Sequence, residues 1–114
     1  MRSINKLTLA LLAGSGLAGL TTLQAAPDAA ELWKKNCQKC HAPDGSGKTT
    51  MGEKLKLKDY TDPKFHAEFT DEALAKATKD GVKEGDKVKM KAYGDVLSAD
   101  DINALVAYIR AFKK

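Results

Sequence analysis

The only two cysteines of this 114-residue chain stand three positions apart, and the second is followed at once by one of its two histidines: Cys37-Gln38-Lys39-Cys40-His41. On a helix, positions i, i+3 and i+4 share a face. This short run therefore turns two thiols and an imidazole to one side, and the chain has to fold around whatever uses all three. Structural zinc normally takes four Cys and His ligands. Only His66 could complete that set, and the adjacent Cys40 and His41 are awkward corners of one tetrahedron. A C-x-x-C redox pair usually sits in a βαβ setting, which the sequence does not offer. A disulfide beside a surface histidine would leave a thin core unexplained.

The spacing is that of c-type haem attachment. Cys37 and Cys40 can reach the two vinyl groups on one porphyrin edge as thioethers, and His41 then directs its imidazole to the iron. The apolar inventory agrees. After residue 25, only 18 of 89 residues are Leu, Ile, Val, Met, Phe or Trp. Domains this small are marginal in burial and often rely on a staple other than side chains. A covalent haem would be the largest apolar body in such a core.

Residues 1–25 read as a cleaved secretory signal peptide: Arg2 and Lys6, an uncharged stretch from Leu7 to Leu23, then small residues at Ala25 and Ala26. An uncleaved anchor is the rival reading, but 17 uncharged residues diluted by Gly14, Ser15, Gly16, Gly19, Thr21 and Thr22 fall short of the usual span. The domain of residues 26–114 is then periplasmic or otherwise exported. Without the leader, Lys and Arg fall from 19 to 17 against 15 acids, a net charge near +2. Interleaved charge of that size is a weak footprint for nucleic acid. The length excludes a dinucleotide-binding fold, an α/β barrel or a two-domain enzyme.

Four short helices and no convincing strand are expected. The first starts at the Asp28 N-cap and runs to about Cys40. Ala42-Pro43-Asp44-Gly45-Ser46-Gly47 is turn-rich. Asp62 with Pro63 at N1 opens a helix through Phe69. Thr70 caps another from Asp71 to Lys79, closed by Gly81. Residues 81–97 read as a long lysine-bearing loop. Ser98-Ala99-Asp100-Asp101 opens the last helix, with Ile102, Leu105, Val106, Ile109 and Phe112 along one face.

One histidine on iron leaves a sixth position that is either filled or open for chemistry. Met90, Met51 and His66 are the candidates. Met90 lies in a loop able to fold over the distal face. Met51 is ten residues past His41, a tight path around the porphyrin edge. His66 falls within the helix after Pro63. Thr49 and Thr50 are candidates for the haem propionates by nearness to His41 alone.

These features resemble the class I cytochrome c family in its small bacterial monohaem form. The resemblance spans nearly all of residues 26–114. It rests on Trp33 before Cys37-Gln38-Lys39-Cys40-His41, on Ala42-Pro43-Asp44-Gly45-Ser46-Gly47-Lys48, on Met90-Lys91-Ala92-Tyr93 and on Leu105-Val106-Ala107-Tyr108-Ile109-Arg110. It implies an all-α cytochrome c-like fold of three to four short helices wrapped around one covalent haem c. It also implies that Trp33 packs near Leu105 and Tyr108, and that Met90 is the distal ligand. Three positions depart from the family habit: Lys91 where Pro often follows the methionine, Ala29 where Gly is common, and Ala42 where Gly often follows the C-H pair.

The expected function is one-electron transfer by a soluble periplasmic carrier with His/Met-ligated haem, not enzymatic catalysis. The alternative is an open-site haem enzyme, a peroxidase or small-molecule reductase, which would need a labile Met90 and a distal acid–base residue. Lys39, Lys83, Lys87, Lys89 and Lys91 would steer a monomer to acidic patches on redox partner proteins, offset in part by Glu84, Asp86 and Asp95. Membrane contact would come only through membrane-bound redox complexes.

Overall fold

The computed structural model describes residues 26–114, and the export segment expected over residues 1–25 lies outside them. Six helices and one hairpin follow in order: α1 (Ala29–Asn36), α2 (Gln38–His41), α3 (Thr50–Leu55), α4 (Pro63–Glu68), α5 (Asp71–Asp80), β1 (Val82–Glu84), β2 (Lys87–Met90) and α6 (Ala99–Ala111). No helix among the described residues is long and apolar enough to cross a membrane.

The core lies where α6 packs against α1 and α5. Ile102, Leu105, Val106 and Ile109 turn inward from α6, meeting Trp33 from α1 and Leu74 from α5. Among the described residues, Trp33 and Leu105 are the large side chains removed almost entirely from water. The Trp33 ring lies 5.7 Å from that of Tyr108 and 4.9 Å from that of Phe112. Trp33 thus meets the Leu105–Tyr108 pair as the resemblance implied.

Helix starts follow the sequence closely. The Asp28, Asp62, Thr70 and Ser98 side chains each accept a hydrogen bond from a first-turn N–H. At Ser98 the capping box is complete, since its own N–H donates in return to the Asp101 carboxylate.

Three local features differ from the sequence reading. The first helix does not run through to Cys40 but breaks at Cys37. There the Cys40 N–H turns back to the Cys37 carbonyl at 3.2 Å instead of reaching Asn36. A short helix, α3, occupies 50–55, where no apolar periodicity announces it; Thr49 caps it through the Gly52 N–H at 2.8 Å. The segment read as a loop contains an antiparallel hairpin with Glu84 opposite Lys87. Its two-residue turn has Gly85 at φ 60°, the position where a II′ turn needs positive φ. The Gly-Asp pair between Val82-Lys83-Glu84 and Lys87-Val88-Lys89 was a readable hairpin signal.

Candidate functional site

The break at Cys37 aims the motif. Cys37 is buried, Cys40 is half-buried, and both thiols are free. Burial, and after it the neighbouring Cys40, pushes the Cys37 thiol up to about 11. A thiol held protonated is a poor nucleophile, since the thiolate is the attacking form. Dithiol exchange is therefore disfavoured at Cys37.

His41 is buried at 8% exposure, and burial lowers its pKa to about 4, so the imidazole is neutral at pH 7. Its Nδ1 is a buried polar atom with no hydrogen-bond partner. Such an atom is costly unless the ring has another use, and a neutral imidazole is the form that binds metals. The ring is held by its surroundings: Tyr60 lies against it at 5.0 Å and Trp33 at 5.7 Å.

Backbone contacts fix the turn that follows. The Trp33 Nε1–H donates to the Ala42 carbonyl at 3.0 Å, and the Gly47 N–H donates to that of His41 at 2.9 Å. Ala42 itself sits at φ 70°, ψ 160°, a region open essentially to glycine alone. The Thr49 hydroxyl donates to the Cys40 carbonyl at 2.7 Å while accepting from Gly52. Its proton is thereby committed, which removes Thr49 as a propionate donor. Gly52 must be small, because a Cβ there would overlap the Gly47 and Cys40 carbonyl oxygens.

Across from the motif is a cleft of about 340 Å³, walled by Cys37, Cys40, His41, Leu55, Leu57, Met90 and Tyr93. Deeper in, a void of about 30 Å³ is again touched by Cys37, His41 and Met90, against Leu74, Leu105 and Ile109. Met90 and His41 thus share the walls of both spaces. Met51 lines neither and stands 41% exposed on α3. His66 is turned to other work: its Nε2 lies 2.6 Å from the Tyr60 carbonyl and its Nδ1 lies 3.1 Å from Arg110 Nη1. A carbonyl can only accept and a guanidinium can only donate, so Nε2 carries the proton and neither nitrogen is free for a metal.

The mouth of the cleft carries Lys35, Lys39, Lys89 and Lys91. Lys35 was not anticipated, and Lys83 and Lys87 are not among the lining residues. Lys89 is partly neutralised by Glu84 at 3.3 Å. Sequence reasoning also missed Tyr60 as the partner of His41, and the Arg110 cluster. Arg110 reaches the Phe69 carbonyl at 2.6 Å and Asp71 at 2.8 Å besides His66. No local pattern signals contacts between residues some 40 positions apart.

Two thiols at attachment spacing, a neutral imidazole with an orphaned nitrogen and a thioether facing the same apolar cleft make a donor set that fits covalent haem. Comparison with known proteins agrees. The family model for cytochrome c oxidase, cbb3-type, subunit III matches residues 24–109. Among solved structures, the KustC0563 c-type cytochrome superposes with a TM-score of 0.70 at 30% identity, covering 77% of this chain and 100% of that one. A point mutant of the same cytochrome gives 0.67 at 29% identity, covering 76% and 100%. No curated protein matches the chain.

Proposed function

The chain belongs to this family of c-type cytochromes, whose domain carries covalent haem c and serves haem-based electron transfer, and from that premise we propose that it is a soluble, exported one-electron carrier in which His41 and Met90 would hold the haem iron. Cys37 and Cys40 are the thioether sites. When bound, the haem supplies a metal that cycles between the ferric and ferrous states. The chain's own residues set the terms of that cycle. A thioether sulfur is soft and favours the ferrous state, and the apolar walls of Leu74, Leu105 and Ile109 act the same way. Tyr60 and Trp33 hold the imidazole from two sides, which limits rearrangement between oxidation states.

The observation that carries this reading is the placement of Met90 and His41 in the walls of the same two spaces. Apart from Cys37, Cys40 and His41, the polar side chains lining the cleft are lysines, Asn36 and Tyr93, while the spare histidine is bound to Arg110 and Tyr60. That arrangement supports a carrier over an open-site peroxidase or reductase. The four lysines at the mouth are suited to weak, salt-sensitive docking on an acidic patch of a redox protein.

The test is an optical and redox titration of protein matured in a host with haem-ligation machinery. A haem-staining band should survive a denaturing gel, and the ferric spectrum should show the far-red charge-transfer band of thioether sulfur on iron. A colourless product, or a ferric spectrum without that band, removes the proposed ligand set. Export is checked separately: mature protein should be found in the periplasmic fraction with residues 1–25 absent by intact mass.

A further inference from the structure

Tyr93 uses every polar group it has to tie together three parts of the molecule. Its N–H donates to the Thr78 carbonyl at 3.0 Å, and the next N–H, from Gly94, donates to that of Lys79 at 3.0 Å. Both acceptors belong to the last turn of α5, where helical carbonyls have no partner of their own. The Tyr93 carbonyl accepts from Val96 and Leu97, closing the turn into α6. Its hydroxyl crosses the cleft and donates to the Asn36 carbonyl at 2.9 Å.

That last acceptor exists because of the break at Cys37. In an unbroken helix the Asn36 carbonyl would receive the Cys40 N–H, but here that N–H goes to Cys37. The break that aims the two cysteines and His41 thus leaves the Asn36 carbonyl, at the end of α1, without its helical donor. Tyr93, three residues after Met90, supplies the donor. Lys91 places its Nζ 5.1 Å from the centre of the same ring.

We propose that Tyr93 is a positioning residue that latches the Met90 segment onto the ends of α1 and α5, and so sets how readily Met90 leaves the cleft. The inference rests on Met90 being the sixth ligand. The hairpin on the other side of Met90 is exposed almost throughout, so the hydrogen bonds of Tyr93, beside that of Gly94, tie this segment to the body of the protein.

Tyr93→Phe tests it, because the ring and its packing remain and only the hydroxyl goes. In ferric holoprotein, added imidazole must displace Met90 to bind iron, so its binding rate reports how readily the segment opens. The rate should rise about fivefold, the factor equivalent to the ~1 kcal/mol of one net hydrogen bond. The far-red band should still be present in the resting variant. An unchanged rate overturns the proposal. So does a faster rate with the urea dependence of whole-chain unfolding, which would make the hydroxyl a matter of general stability. Failure of the underlying ligand reading looks different: Met90→Ala would then keep the far-red band.

Discussion

The ring of Tyr60 lies nearly parallel to that of His41, 19° between planes and 5.0 Å between centroids. Tyr60 is itself fixed at both ends of its backbone: its N–H donates to the Gly45 carbonyl at 2.9 Å, and its carbonyl accepts from His66 Nε2. A chain of contacts thus runs from α6 through Arg110 and His66 to Tyr60 and the His41 ring.

Burial pushes the Tyr60 phenol up to about 12. The raised folded value means that the native state binds more protons than the unfolded chain between about pH 10 and pH 12. Stability should be retained below pH 10 and fall through that window, by on the order of 2 kcal/mol. Denaturant melts at stepped alkaline pH, run beside Tyr60→Phe, check this. Equal alkaline losses in both proteins would show that another group is responsible.

Ala42 occupies backbone space that suits glycine. Ala42→Gly should stabilise the holoprotein by about 1 kcal/mol, the relief of local strain exceeding the loss of one buried methyl and the extra freedom of the unfolded chain. The urea midpoint should rise with an unchanged visible spectrum. A lower midpoint would mean that the methyl is worth more than the strain.

Met90→Ala should abolish the far-red band and lower the reduction potential, while Met51→Ala should leave both as they are. The contrast follows from Met90 lining the cleft and Met51 standing in solvent. Loss of the band in the Met51 variant would reverse the assignment.

Arg110→Met should cost about 2–3 kcal/mol, because it leaves His66 and the Phe69 carbonyl without their donor inside the structure. Asp71→Asn should cost well under ~1 kcal/mol, since that carboxylate is 68% exposed and its pairing is screened. Thermal melts of the two variants separate the parts of the cluster, and equal losses would contradict this division.

Replacing both cysteines by alanine should leave a chain that is largely unfolded by far-ultraviolet circular dichroism. Only 18 of the 89 residues after residue 25 are large and apolar, and Trp33, Leu74, Leu105 and Ile109 of the core face the void that Cys37, His41 and Met90 also line, so the core is thin without the haem. A compact, cooperatively melting double variant would be the contrary result.

Local chemistry was readable before any coordinates. Caps at Asp28, Asp62, Thr70 and Ser98, the apolar stripe of α6 and the attachment motif all depend on residues within a few positions of one another, and a linear pattern carries that information. The Gly85-Asp86 pair carries the hairpin in the same local way. What no linear pattern carries is which distant groups meet. The partner for the Asn36 carbonyl is 57 residues away. The withdrawal of His66 into Arg110, the stacking of Tyr60 on His41 and the exclusion of Met51 from the cleft likewise arise when the helices pack. The Asn36 carbonyl and His66 find the partners that spare a buried polar group from going unsatisfied, while the Tyr60 stack and the exclusion of Met51 are decided by where the packed helices leave room.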